Sequence, residues 1–159
     1  MVAVREIADT WASLYSNSAV LRSGLSFAHL GGLVASAGPA IAADRALLRA
    51  VRRGHDAVTA ELRTMRATHI LVVTGLAAVT ASGILLMLAD LDSYLQSTAF
   101  WVKMALIVAL TLNSLVLVRA HHLVARGPRG ISMLRGASIA SLVLWFATTL
   151  AGAVLPNAL

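Results

Sequence analysis

The sequence predicts an all-α integral membrane protein, a four-transmembrane-helix bundle preceded by a short amphipathic surface helix. Three observations predict it. Four apolar spans, near residues 21–43, 70–89, 100–118 and 137–155, run almost free of charge. Each has about the 20 residues a helix needs to cross roughly 30 Å of hydrocarbon, where a helix satisfies its own backbone polar groups. Arginines crowd into two of the three connections, and the composition, 58% hydrophobic and 13% charged, is too apolar for a soluble domain of 159 residues. The chain divides into a surface helix, 1–17, and a transmembrane domain, 18–159.

In the first segment Val4, Ile7, Trp11 and Leu14 recur at helical spacing opposite Arg5, Glu6 and Asp9, so the helix should lie on the membrane with Trp11 and Tyr15 at headgroup level. The first span ends in Ala40-Ile41-Ala42-Ala43, which resembles a signal cleavage site. It begins too deep in the chain for a signal peptide, and the strongest positive cluster follows it, so the span is read as a retained helix. Gly24, Ala28, Gly32, Ser36 and Ala40 form a small-residue ridge for close helix packing, and Pro39 should bend the helix near its inner end.

The connection 44–68 carries Arg45, Arg49, Arg52, Arg53, Arg63 and Arg66, with Leu47, Leu48, Val51, Val58, Leu62 and Met65 at helical intervals. The first two helices should therefore extend past the membrane on the cytoplasmic side and turn near Gly54. Asp44, beside Arg45, reads as half of a helix-end ion pair. The second span offers Gly75, Ala78, Ser82 and Gly83 for packing. The connection 90–98 holds Asp90 and Asp92 with no basic residue and should face the outer side. The connection 119–135 returns to Arg119, Arg126, Arg129 and Arg135 around the breaker Gly127-Pro128, and the fourth span carries Gly136, Ala140, Thr148 and Gly152. Both termini should then be periplasmic or extracellular, in a bacterial inner membrane.

Composition excludes several chemistries. Twelve of the 13 basic residues are arginine and most flank the spans, so the net charge of +6 serves topology and anionic headgroups; with no interleaved aromatics, nucleic-acid binding is rejected. With no cysteine there are no disulfides, thiolate metal sites or iron–sulfur clusters. Hydrolase and nucleotide-binding motifs are absent, and four unbroken spans without a convincing repeat argue against a transporter.

Ionisable groups at membrane depth are costly, which makes them the first place to seek function. His29 lies about two turns, and Lys103 about one turn, in from the outer ends of their spans, at similar depth on one side. Simple roles compete: Lys103 can snorkel to the interface beside Trp101, and His29 can donate a hydrogen bond to a neighbouring helix. Lys103, Ser114 and His121 align on one side of the third helix near Asn113, whose ordinary role is an interhelical hydrogen bond. Met87 and Met104, near the depth of His29, are soft ligands for haem iron or copper, though methionine is usually core filler. At the inner ends His69 faces the pair His121 and His122, a second candidate site for haem or another metal.

Phe27-Ala28-His29-Leu30-Gly31-Gly32, Ser82-Gly83-Ile84-Leu85-Leu86 and Phe100-Trp101-Val102-Lys103-Met104 occur in the order found in small four-helix bacterial membrane proteins. The chain resembles the HemJ-type protoporphyrinogen oxidases and the CopD-type copper-resistance proteins, many of whose relatives are uncharacterised. The HemJ-type resemblance implies haem b with His29 as ligand, and Lys103 in the same functional region. The further histidines and aromatics that accompany that lysine are missing here, which sets protoporphyrinogen oxidation itself aside. Two functions follow as expectations. One is a haem- or metal-associated redox protein, its cofactor site drawn from His29, Lys103, Met87 and Asn113. The other is a cofactor-free accessory or scaffold subunit of a larger membrane complex. The expected partners are the lipid bilayer, a redox or membrane-complex protein, and further copies of the chain in an oligomer.

Overall fold

A computed structural model describes residues 2–124 and 127–157; Met1 and Arg126 of the expected pattern lie outside the described residues, as do the side chains of Val4 and Arg66. The chain is almost wholly helical, and no strand occurs among the described residues. It runs α1 (Val2–Asn17), α2 (Ala19–Arg53), α3 (His55–Ala89), α4 (Leu91–Gln96), α5 (Thr98–Val124) and α6 (Pro128–Val154), with a final 3-10 turn at Leu155–Asn157. Four helical segments are long and apolar enough to cross a membrane: Ala19–Arg53, Thr68–Ala89, Thr98–Val124 and Arg129–Val154. At 1.5 Å per residue, the 35 residues of α2 reach about 52 Å, well beyond the roughly 30 Å hydrocarbon layer. The excess carries the arginines, as expected for extensions past the membrane.

Local chemistry sets the boundaries. Ser18 starts α2 by accepting a hydrogen bond from the Leu21 amide at 3.3 Å, and Ser97 does the same for Phe100 at the head of α5. The hairpin turn between α2 and α3 falls on Gly54, at φ 111°, and the break before α6 on Gly127, at φ 127°; a side chain is strained at either. Pro128 then occupies the first turn of α6, where its missing N–H costs nothing. Helix α2 continues unbroken through Pro39.

The connection 90–98 is mostly the short helix α4, and most of the third connection is absorbed into α5 and α6. The physical reason is that charge patterning marks where lipid ends, whereas helical backbone bonds continue until a Gly or Pro interrupts them.

Helix α2 packs along α3, α5 along α6, and α2 against α6, while α1 folds back onto α3. The α2–α3 crossing is made by glycines. A Cβ on Gly75 would lie 2.8 Å from the Ser36 backbone nitrogen, and one on Gly32 would lie 3.0 Å from the Gly75 carbonyl oxygen. The start of α6 is equally tight: a Cβ on Gly130 would stand 2.4 Å from the Leu123 carbonyl carbon. Gly24 and Gly136, expected on packing ridges, meet nothing within 4 Å. A four-residue step turns a helix by about 400°, so a ridge of that spacing drifts off its partner within a few turns.

Two apolar clusters hold the helices together. Leu47, Ala50, Val58, Ala120, Val124 and Leu134 join all four long helices toward the arginine-rich end. Ala37, Leu110 and Trp145 join α2, α5 and α6 at mid-length. Helix α1 is anchored by Ala8, which is buried, and by Trp11, whose Nε1 donates to the Leu85 carbonyl at 2.8 Å. Ile7 and Leu14 are exposed, as are Phe27, Val34, Leu115, Val143 and Phe146 of the long helices. So much contiguous exposed apolar surface is a lipid-facing coat by its chemistry.

Candidate functional site

His29 and Lys103 do come together, joined by residues of α3 and α6. His29 reaches from α2 to α3, where its Nδ1 lies 3.0 Å from Ser82 Oγ. Ser82 sits in the interior, 3% exposed, and its hydroxyl donates to the Ala78 carbonyl at 2.6 Å. A hydroxyl has one hydrogen: with it on the Ala78 carbonyl the Ser82 oxygen accepts from Nδ1–H of His29, and with it turned to the ring Ser82 donates to Nδ1. In the first arrangement Nδ1 carries the ring proton, and Nε2 keeps its lone pair. The Val79 carbonyl also accepts from the His29 ring, and an Nδ1–H bond orients histidines that bind metals through Nε2.

Glycines make the room. A Cβ on Gly83 would stand 3.3 Å from His29 Cε1, so α3 meets the ring with bare backbone. Lys103 of α5 is half-buried and close enough for its charge to act on the imidazole. Its Nζ lies 3.6 Å from where a Cβ of Gly152 in α6 would be. One imidazole nitrogen and one ammonium group, supplied across an interface of all four long helices, can hold a metal-centred or anionic group. Met87 follows Gly83 by one turn on the face of α3 that meets His29, and is half-buried.

Aromatic side chains rim this end of the protein. Tyr94 and Phe100 pack edge to face with centroids 5.7 Å apart, and Phe100 packs on Trp101 at 5.5 Å. Trp101 Nε1 donates to the Leu95 carbonyl at 3.0 Å, and Trp11 leans on Tyr15. Burial, with Tyr15 and Asp90 nearby, raises the Tyr94 phenol above its usual value and keeps it neutral.

The remaining candidates lie elsewhere. Asn113 Nδ2 donates to the Ala137 carbonyl at 3.0 Å, tying α5 to α6. It is ten residues, or about 15 Å along the helix, from Lys103. Ser114 is exposed and bonds back to Thr111. At the opposite end His121 has a buried Nε2 without a hydrogen-bond partner, within electrostatic range of His69 and His122. No group of three or more His, Cys, Asp or Glu suited to a metal occurs among the described residues.

Asp44 requires a correction. It does not pair with Arg45: the carboxylate is 4% exposed and Arg45 is exposed, with no salt bridge between them. Neighbours in a helix point about 100° apart, so adjacency in sequence separates the two charges. Asp44 instead faces α6, where Ser138 and Ser141 bring their hydroxyls to it. Two signals could have found this trio. Asp44 continues the Ser36–Ala40 ridge by one turn, and Ser138 and Ser141 share a helix face at a spacing of three.

No family model, curated protein sequence or solved structure matches the chain.

Proposed function

We propose that this chain is a small four-pass protein of the bacterial inner membrane, its long helices bundled across the bilayer with both termini outside. Its function is redox or electron transfer through a haem b or another metal centre held at His29. The observation that carries the reading is the 3.0 Å contact of His29 Nδ1 with Ser82 Oγ: when Ser82 gives its own hydrogen to Ala78, it holds Nδ1–H and leaves the Nε2 lone pair for a ligand. The residues present fit such a group. His29 would hold the metal through Nε2, Lys103 would meet a carboxylate of the group, and Met87 would be a soft donor on the same face. Asn113 plays no part in this reading, because Ala137 occupies its amide. The resemblance to the HemJ-type proteins implies the same roles for His29 and Lys103. Bound there, the group would supply one-electron chemistry, and the chain would bind and orient it and shield it from water.

The test is the haem and metal content of the protein purified from haem-supplied cells. A stoichiometric centre that is lost in His29→Ala and retained in His55→Ala is expected. Wild-type protein with neither haem nor metal would reject the reading.

One observation favours the accessory-subunit alternative. Gly24, Gly31 and Gly38 recur every seventh residue of α2, and a Cβ on any of them would meet nothing within 4 Å. Such a seam suits another helix packing from outside. A stoichiometric partner after gentle solubilisation, with no cofactor, would establish that role instead.

A further inference from the structure

The arginine-rich hairpin of α2 and α3 holds a cavity at the opposite end from His29. It measures about 470 Å³ and is lined by Ala46, Arg49, Ala50 and Arg53 of α2 and by Ala57 and Glu61 of α3. Helix geometry builds this lining: 46 and 50, 49 and 53, and 57 and 61 are pairs one turn apart, so each pair shares a face. The three alanines leave the room, and the charged side chains border it. Opposite charges around one space ordinarily close on each other. Here they stay apart: neither guanidinium reaches ion-pair distance of Glu61, and among the described residues none of the three side chains makes a hydrogen bond.

The charges select what can fill the gap. A simple anion would gain two guanidiniums but face Glu61, and a simple cation would gain the carboxylate but face two arginines. A group carrying both signs satisfies all three. Phosphate accepts charge-assisted hydrogen bonds from arginine forks, and a primary ammonium donates them to a carboxylate. Depth points to the source of such a group. Ala46 lies three residues, about 4.5 Å, past the end of the first apolar span at Ala43, inside the polar layer that flanks the hydrocarbon by about 5–7 Å. The cavity therefore opens at the level of lipid headgroups.

We propose that Arg49, Arg53 and Glu61 bind a phospholipid headgroup of the phosphatidylethanolamine type, the arginines holding its phosphate and Glu61 its primary ammonium. The site rests on the placement of the long helices in a bilayer and is independent of any group at His29.

The test is binding of short-chain phosphatidylethanolamine, phosphatidylcholine and phosphatidylglycerol to the purified full chain in mild detergent, read as lipid adducts by native mass spectrometry. Phosphatidylethanolamine should bind saturably and about tenfold more tightly than phosphatidylcholine, whose methylated ammonium has no hydrogen to donate. Glu61→Ala should abolish that preference while phosphate binding persists. Arg49→Gln combined with Arg53→Gln should weaken all three lipids by about tenfold or more, and Arg135→Gln, outside the cavity, should change nothing. Equal affinity for phosphatidylethanolamine and phosphatidylcholine, tighter binding of phosphatidylglycerol, or a preference that survives Glu61→Ala would each overturn the proposal. Retention of the chain in vesicles after alkaline washing checks the bilayer placement separately, so a missing preference in retained protein counts against this site alone.

Discussion

When Ser82 gives its one hydroxyl hydrogen to Ala78, its oxygen favours the proton of His29 on Nδ1 and leaves the metal-binding electrons on Nε2. Ser82→Ala removes that constraint without touching the ligand atom. It should weaken cofactor binding by about tenfold or more, as losses around a ligating histidine do, read by haem titration of the apoprotein. Unchanged affinity would assign Ser82 to packing alone. At this scale the sequence was legible where a residue broke the apolar rule: His29 and Lys103 stand out by type and depth, and the structure brings them together. Their partners were not legible. Ser82 and Gly83 look like ordinary small residues of a span, and Asp44 was masked by Arg45, because adjacency in sequence suggests a pairing that helix geometry forbids.

Glycine contacts decide how the helices pack. Gly75→Ala would drive a methyl group into the α2 backbone, which cannot move aside as a side chain can, and should cost about 1–3 kcal/mol. Gly31→Ala meets open space and should be neutral or stabilising by up to about 1 kcal/mol through helix propensity. Denaturant unfolding in mixed micelles compares the two, and equal effects would refute the Gly32–Gly75 crossing. Trp11→Phe removes the hydrogen bond to Leu85 while keeping most of the apolar contact. It should loosen α1, seen as faster proteolysis within 2–17 with the long helices intact. The span centres could be read from hydropathy because lipid demands it. The helix ends, the helix α4 and the facing of each ridge could not, since backbone bonding and rotational drift set them.

On the scale of the whole molecule, apolar side chains face outward along all four long helices, and the arginines gather at one end of the hairpins. A bundle in a bilayer accounts for both at once. The chain has no cysteine, so single cysteines report on topology without background. A cysteine at Thr59 should react with an impermeant maleimide only in opened cells, and one at Asp92 in intact cells. The reverse pattern would invert the orientation, and labelling of both from one side would exclude an odd number of crossings between them. The optical spectrum of the protein purified with haem supply, oxidised and reduced, compared between wild type and His29→Ala, tests the function most directly. A Soret band that shifts on reduction in the wild type and is absent from His29→Ala is the result predicted. The same spectrum in both proteins would contradict a cofactor held by His29.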